Sequence, residues 1–199
     1  MATNPRITLF HRLAAKWDNL PAPPDLEERL ARVVALGQLP RGGVALDVGA
    51  GTGLLVPALL DQHPHTIISI DFAPGMIARL RRKYMGYRNV IPLCADVTRP
   101  PLADNQFDTV YAHDVFPHFT DQPAALRGLW RVVRPGGRLV ISHIVSREEV
   151  NRKHYNHPVL YRDLLPSAVE VCAMLGQIGW RVQFSEDVSD FYLVVARKP

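Results

Sequence analysis

Short apolar runs alternate with amphipathic segments along this chain. The run Val44–Val48 has the apolar content of a strand buried on both faces, which is typical of a parallel sheet covered by helices. Apolar residues recur at helical spacing in three other segments, and Gly179 follows the last of these as a helix stop. The pattern predicts helices over 7–18, 25–36 and 168–178, and final strands over 180–184 and 191–196 that residues 185–189 join as a hairpin.

A glycine-rich loop follows the first predicted strand. Gly49, Gly51 and Gly53 lack a Cβ atom, so the backbone there can turn sharply, reach positive φ and press against a ligand. A predicted helix over 54–62 then points its unpaired N-terminal amides at that ligand. Asp47 would repel a phosphate and attract a cation. Because the glycine spacing also differs from that of dinucleotide-binding loops, we expect a positively charged nucleoside without phosphate.

This loop resembles the first motif of the class I S-adenosylmethionine-dependent methyltransferases, in which an acid precedes glycines at alternate positions; the matching residues are Asp47, Gly49, Gly51 and Gly53. The resemblance implies S-adenosylmethionine as cofactor. It also implies a three-layer α/β/α Rossmann-like fold, whose seven-stranded sheet is mostly parallel and ends in an antiparallel hairpin. Further landmarks follow in the order of that family at 67–71, 73–80, 90–97, 107–113 and 129–142.

The resemblance assigns a cofactor role to the acids that end the second and third strands. In the family, the acid at the position of Asp71 hydrogen-bonds the ribose hydroxyls, and the acid at the position of Asp96 meets the adenine amino group. Taken alone, an acid after a strand is often a helix cap or turn residue, so both interpretations stay open. The implied cofactor-binding residues are Asp47, Gly49, Ala50, Gly51, Thr52, Gly53, Asp71, Phe72, Met76, Ala95, Asp96, Val97 and His113.

Length and composition limit these interpretations. The 199 residues, 47% of them hydrophobic, predict a helix and Pro-rich linker over 1–23 and one methyltransferase domain over 24–199. Cys94 and Cys172 fall in a predicted buried strand and a predicted helix, without zinc-site spacing, which favours a reducing compartment. The densest basic run lies on a predicted surface helix, and no secretion signal or membrane span is recognisable. We expect a cytoplasmic monomer or homodimer without a nucleic-acid or membrane partner.

Histidines are frequent after the fourth and fifth predicted strands. Ligands of open parallel sheets bind beyond the carboxyl ends of the strands, so we expect residues 143–166 to form a lid-like segment over the acceptor site. Three hypotheses stay open: a general base for a hydroxyl acceptor, metal ligands, or unrelated polar residues. As a base, His113 is the first candidate and His143 the second; no metal ligand is assigned. The five rim residues are His113, His118, His143, His154 and His157, of which the last two are three apart and share a predicted helix face.

The N-terminal helix carries an apolar stripe that must pack on something. In the resembling family, leading helices often cover the cofactor or substrate opening, which would bring His11 and Trp17 near the site. The alternative is a strut on the sheet edge.

The segment after the fourth predicted strand narrows the acceptor. Family members that methylate nucleobase amines carry Asn/Asp-Pro-Pro-Tyr there, whereas residues 113–116 read His-Asp-Val-Phe. We therefore expect a small-molecule acceptor, methylated on a hydroxyl or a ring carbon. The alternative is a non-catalytic sensor or partner subunit that binds S-adenosylmethionine or S-adenosylhomocysteine; the glycine spacing disfavours a nicotinamide dehydrogenase. Four aromatic residues either line a pocket for a planar acceptor or belong to the core: Phe116, Phe119, Tyr155 and Tyr161.

Overall fold

A computed structural model describes residues 4–199 of the chain. Its strands are β1 (Val44–Val48), β2 (Thr66–Asp71), β3 (Val90–Cys94), β4 (Phe107–His113), β5 (Val133–His143), β6 (Arg181–Val188) and β7 (Phe191–Arg197). They form a seven-stranded sheet in the order β3-β2-β1-β4-β5-β7-β6. The first five strands pair in parallel, and β7 runs antiparallel to β5 and β6. The predicted Rossmann-like sheet is therefore confirmed.

Helices connect the strands and enclose the sheet. They are α1 (Pro5–Leu13), α2 (Leu26–Gly37), α3 (Val56–Leu60), α4 (Pro74–Lys83), α5 (Gln122–Val132), α6 (Arg147–Tyr155) and α7 (Ala168–Ile178), with short 3₁₀ helices at Trp17–Asn19 and Phe116–His118. Local sequence explains the ends of α7: Ser167 and Glu170 form a capping box, and Gly179 has the predicted positive φ, at 112°.

The central strand β4 is buried along its whole length and separates two apolar layers. Val110 and Ala112 join a cluster that includes residues of α5 and α7. Tyr111 points to the opposite face, into a cluster that includes residues of α2 and α3. This alternation explains why β4 carries apolar side chains toward both faces, as a strand covered on both faces requires.

The structure corrects several predicted boundaries. The N-terminal helix was expected over 7–18 but ends at Leu13; its stripe nevertheless packs, because Phe10 and Ala14 are buried against the start of α4. The final hairpin turns at residues 189–190, since β6 continues past the predicted stop. Cys94, expected in a buried strand, is exposed because it ends the edge strand β3. Within residues 4–199, no helix is both long and apolar enough to cross a membrane.

The close approach of α2 to β4 generates a prediction about Gly37. A Cβ atom there would lie 2.6 Å from the ring of Tyr111, whose hydroxyl donates a hydrogen bond to the Val34 carbonyl. We expect Gly37→Ala to lower the free energy of unfolding by about 1–3 kcal/mol through overpacking. Gly176, in α7, has open space around it, so Gly176→Ala should raise the free energy of unfolding by up to about 1 kcal/mol. Urea denaturation of both variants measures the contrast, and equal effects would contradict it.

Candidate functional site

The glycine loop leaves β1 with backbone angles that favour glycine. Gly49, Gly51 and Gly53 have φ values of 65°, 55° and 90°. The amide of Gly51 donates a 3.0 Å hydrogen bond to a carboxylate oxygen of Asp71, which ends β2. The neighbouring amide of Ala50 donates to the carbonyl of the last apolar residue of β2, also at 3.0 Å. The loop is therefore fastened to the adjacent strand on its way to α3.

Asp71 also fastens the start of α4. Its second oxygen accepts a 2.8 Å hydrogen bond from the amide of Ala73, the residue that precedes the helix. Burial raises the pKa of Asp71 to about 6, although the two amide hydrogen bonds favour the charged form. The structure thus shows Asp71 acting as a cap at the start of α4, which was one of the two interpretations of this acid. This role does not remove the side chain from a ligand site, because the same carboxylate lines both cavities at this edge.

Two adjoining cavities, of about 310 Å³ and about 70 Å³, lie beyond the carboxyl ends of the strands. They adjoin because five residues line both: Gly49, Asp71, Phe72, Val115 and His118. Most of the predicted cofactor residues contribute to one or both walls. Ala95, Asp96 and Val97 line the larger cavity, whereas Asp47, Ala50, Gly51, Met76 and His113 line the smaller one.

Two residues of the predicted cofactor set, Thr52 and Gly53, line neither cavity. Thr52 is buried, and its hydroxyl donates a hydrogen bond to Asp18 in the N-terminal segment. The Gly53 carbonyl accepts a 2.8 Å hydrogen bond from the hydroxyl of Tyr84, and a Cβ atom at Gly53 would lie 2.6 Å from that ring. In this structure both residues shape and anchor the loop.

The N-terminal helix α1 forms part of the cavity walls. Of the two alternatives for this helix, the structure therefore shows a cover. Trp17 lies at the smaller cavity as expected, whereas His11 packs over α4 without lining either cavity. The wall residues from this segment are Asn4, Arg6 and Ile7 at the larger cavity and Phe10 and Trp17 at the smaller one.

The smaller cavity has an anionic wall. Asp47, Asp71 and Asp114 line it, and none of the described residues around it is Lys or Arg. Burial raises the pKa of Asp47 to about 7; a hydrogen bond from Ser69 opposes the rise, and the charge of Asp71 adds to it. Charges that are this costly to bury favour a cationic ligand and disfavour a pyrophosphate. The residues present thus fit a sulfonium nucleoside better than a dinucleotide.

His113 and His143 hold Asp114 between them. Nδ1 of His143 lies 3.1 Å and Nε2 of His113 lies 3.6 Å from the Asp114 carboxylate, and Nδ1 of His113 lies 2.9 Å from the Ser142 hydroxyl. Burial lowers the pKa of His113. Burial alone would raise the pKa of Asp114, but the two imidazoles outweigh it and hold that pKa below its usual range. No role was predicted for Asp114 from the sequence, although it directly follows His113.

The other rim histidines separate into a pair and a single residue. The rings of His118 and His154 lie 4.8 Å apart, and both contact Asp163, through its carboxylate and its carbonyl respectively. His157 lies beyond the end of α6 and accepts a hydrogen bond from a nearby backbone amide. The prediction that His154 and His157 share a helix face is therefore wrong, because α6 ends at Tyr155, before His157. Within residues 4–199, no three His, Cys, Asp or Glu side chains are placed to hold a metal ion.

The four aromatic residues considered for an acceptor pocket divide between wall, core and surface. Phe119 lines the larger cavity. Phe116 is fully buried in the core, and Tyr155 and Tyr161 are exposed. Of the four, Phe119 alone lines one of the two adjoining cavities.

Similarity to known proteins agrees with this geometry. A family described as a methyltransferase domain matches residues 46–141. The demethylmenaquinone methyltransferase of Thermus thermophilus is 38% identical over 139 residues, which are 69% of this chain and 60% of that protein. The malonyl-[acyl-carrier protein] O-methyltransferase of Serratia marcescens is 30% identical over 138 residues, 69% of this chain and 51% of that protein. The chain thus spans less than two thirds of the length of both relatives.

The fold has a counterpart among solved structures. A SAM-dependent methyltransferase from Aquifex aeolicus has a TM-score of 0.75 and 26% identity, over 92% of this chain and 97% of that chain. Sheet order, glycine loop and matched domain all agree. Over residues 46–141 the chain matches the methyltransferase-domain family, and its fold is that of a class I S-adenosylmethionine-dependent methyltransferase. The cofactor of this family is S-adenosylmethionine.

Asp47 should make stability depend on pH. Its pKa of about 7 in the folded protein exceeds the ordinary value of about 3.9. The folded state therefore binds a proton that the unfolded state has lost, and the free energy of unfolding falls as pH rises between these values. We expect Asp47→Asn to lose less stability than the wild type between about pH 4.5 and about pH 7.5, as measured by urea midpoints.

The matched control is Asp104→Asn, since Asp104 is exposed and pairs with Arg131 at the surface. This variant should keep the pH dependence of the wild type. Equal losses of stability in Asp47→Asn and the wild type would show that this carboxyl titrates normally.

Proposed function

We propose that this protein transfers a methyl group from S-adenosylmethionine to a small-molecule acceptor, with a hydroxyl oxygen or a ring carbon as the favoured acceptor atom. The pair of adjoining cavities carries the proposal. The larger joins the glycine loop to Ala95, Asp96 and Val97, and the smaller joins the same loop to the end of β4. When bound, S-adenosylmethionine supplies an electrophilic methyl group on a sulfonium centre. The chain must hold that cofactor and align the acceptor with it.

Asp71 and Asp96 retain the capacity to bind the nucleoside. Each oxygen of Asp71 accepts one backbone amide, and a carboxylate oxygen has a second lone pair for a ligand hydroxyl. Oδ1 of Asp96 accepts both the amide and the hydroxyl of Thr98, which leaves Oδ2 for an amino group. The anionic wall of the smaller cavity complements the positive charge of the cofactor.

On the acceptor side, we retain His113 and His143 as functional residues that act by holding Asp114 at the smaller cavity. A small acceptor is supported by the cover over the site, since cavities of this size exclude a folded macromolecule. It is also supported by the Thermus thermophilus relative, which is named for the small molecule demethylmenaquinone. The cytoplasmic location, the lack of a nucleic-acid partner and the monomeric or homodimeric state stay predictions.

Calorimetric titration tests the cofactor site. We expect micromolar binding of S-adenosylmethionine and S-adenosylhomocysteine, and no binding of NAD. Asp71→Asn should weaken both affinities roughly 10- to 100-fold, because a hydrogen bond to a charged group contributes about 1.5–3 kcal/mol. Asp104→Asn, a surface change far from the cavities, should bind as the wild type does. A thermal melt of each variant checks that it is folded.

Release of S-adenosylhomocysteine in the presence of a small-metabolite extract tests the transfer. Release that depends on the extract supports the enzyme. Binding without release under any extract would favour the non-catalytic sensor or partner subunit. Binding of NAD in place of S-adenosylmethionine would contradict both interpretations.

A further inference from the structure

His118 and Asp163 form a hydrogen-bonded pair beside the cavities. Nδ1 of His118 lies 2.9 Å from Oδ2 of Asp163. The Asp163 side chain is 2% exposed and also accepts hydrogen bonds from the guanidinium of Arg6. Burial alone would raise the pKa of Asp163, but Arg6 and His118 outweigh it and hold that pKa at about 2. The carboxylate is therefore ionised at neutral pH and can only accept, so Nδ1 of His118 carries the proton.

The ring of His118 is held in one orientation and contributes to the walls of both cavities. The ring of Phe10 packs edge-on at 4.9 Å, and His154 packs against it at 4.8 Å. Asp163 lines neither of these two cavities, so Nδ1 is occupied by a residue behind the wall. Among the contacts within residues 4–199, none gives Nε2 of His118 a hydrogen-bond partner. Nε2 is therefore the nitrogen left for a ligand.

The first two candidates for a base lack this arrangement. The Nε2 atoms of His113 and His143 are fully enclosed and have no hydrogen-bond partner. Their Nδ1 atoms are taken up by Ser142 and Asp114. Nε2 of His118 is not among the enclosed atoms. His118 thus combines a fixed tautomer with an accessible lone pair, which are the two geometric requirements of a general base.

We propose that His118 is the proton acceptor for a hydroxyl-bearing methyl acceptor, with Asp163 as the positioning residue that fixes its tautomer. This inference rests on the proposed methyl transfer and deepens it. As the acceptor oxygen bonds to the methyl carbon, the carbon–sulfur bond breaks with its electron pair left on sulfur, and the hydroxyl proton passes to Nε2 of His118. The imidazolium then releases that proton to water.

A base of this kind narrows the class of acceptor. A carboxylate acceptor is already anionic at neutral pH and gains nothing from proton removal. A phenolic or enolic hydroxyl, with a pKa near that of tyrosine, gains a stronger nucleophile. The pair therefore points to a neutral hydroxyl compound rather than to a carboxylic acid.

The tautomer of His118 is measurable without any acceptor. Long-range proton–nitrogen spectra of protein labelled with ¹⁵N in histidine distinguish the two tautomers, and His118→Gln assigns the signal. We expect the form with the proton on Nδ1, and we expect Asp163→Asn to abolish that preference. A wild-type ring that carries its proton on Nε2 would overturn the proposal, whatever the turnover.

Turnover supplies the second readout, with catechol, hydroquinone and malonate as the probes. We expect release of S-adenosylhomocysteine with the hydroxyl compounds, and a 10²- to 10⁴-fold loss of kcat (on the order expected for removal of a general base) in His118→Gln, with unchanged affinity for S-adenosylmethionine. Asp163→Asn should lower kcat more than it raises KM. The matched control is His157→Gln, a rim histidine after α6 that lines neither cavity, and it should turn over normally.

The outcomes separate the two proposals. Normal kcat in His118→Gln with a phenolic acceptor overturns the base while leaving methyl transfer intact. Turnover of malonate alone would likewise overturn the base, since that acceptor needs none. Failure of the wild type to bind S-adenosylmethionine overturns the proposed function itself. Circular dichroism of Asp163→Asn checks its fold; the wild-type tautomer decides the pairing if that variant is unfolded.

Discussion

The site depends on the buried carboxylate of Asp71 and its two hydrogen bonds to backbone amides. One oxygen holds the Gly51 amide and the other holds the Ala73 amide, so a single side chain sets the path of the glycine loop and the start of α4. Burying that charge costs free energy, which its pKa of about 6 expresses. The cost is borne because two backbone amides at this edge would otherwise lack an acceptor. The shape of both cavities follows from this arrangement.

Attachments between distant parts of the chain keep α1 over the cavities. Arg6 reaches Asp163 in the segment after α6, and Asp18 meets Thr52 and Lys83. Aromatic packing adds to these polar contacts, since Phe10 lies edge-on to both Trp17 and Phe72. The cover is therefore held mainly by the partly buried Arg6–Asp163 and Asp18–Thr52 contacts and by aromatic surface, and the exposed Asp18–Lys83 pair adds little.

Local patterns were enough to predict the sheet, and most of the predicted cofactor residues line the two cavities beyond it. The apolar run of β1 and the glycines after it are local patterns, and Asp71 was recognisable because it ends the next strand pattern, although it contacts Gly51 20 positions away. Asp163 had no such signal, because its partner Arg6 is 157 positions away and His118 is 45 positions away. The exposure of Cys94 and the burial of Thr52 against the N-terminal segment likewise depend on which element lies next to each residue. Contacts between residues far apart in the sequence, more than unfamiliar chemistry, therefore limited what could be predicted from the sequence.

The cover formed by α1 also bears on how a ligand enters and leaves the cavities. Lifting this helix away from the cavities would separate Arg6 from Asp163 and uncover Phe10. Such openings are local unfolding events with their own free energy, slower than diffusion through solvent. The residence time of a ligand in these cavities then depends on the stability of the cover as well as on the contacts of the ligand itself.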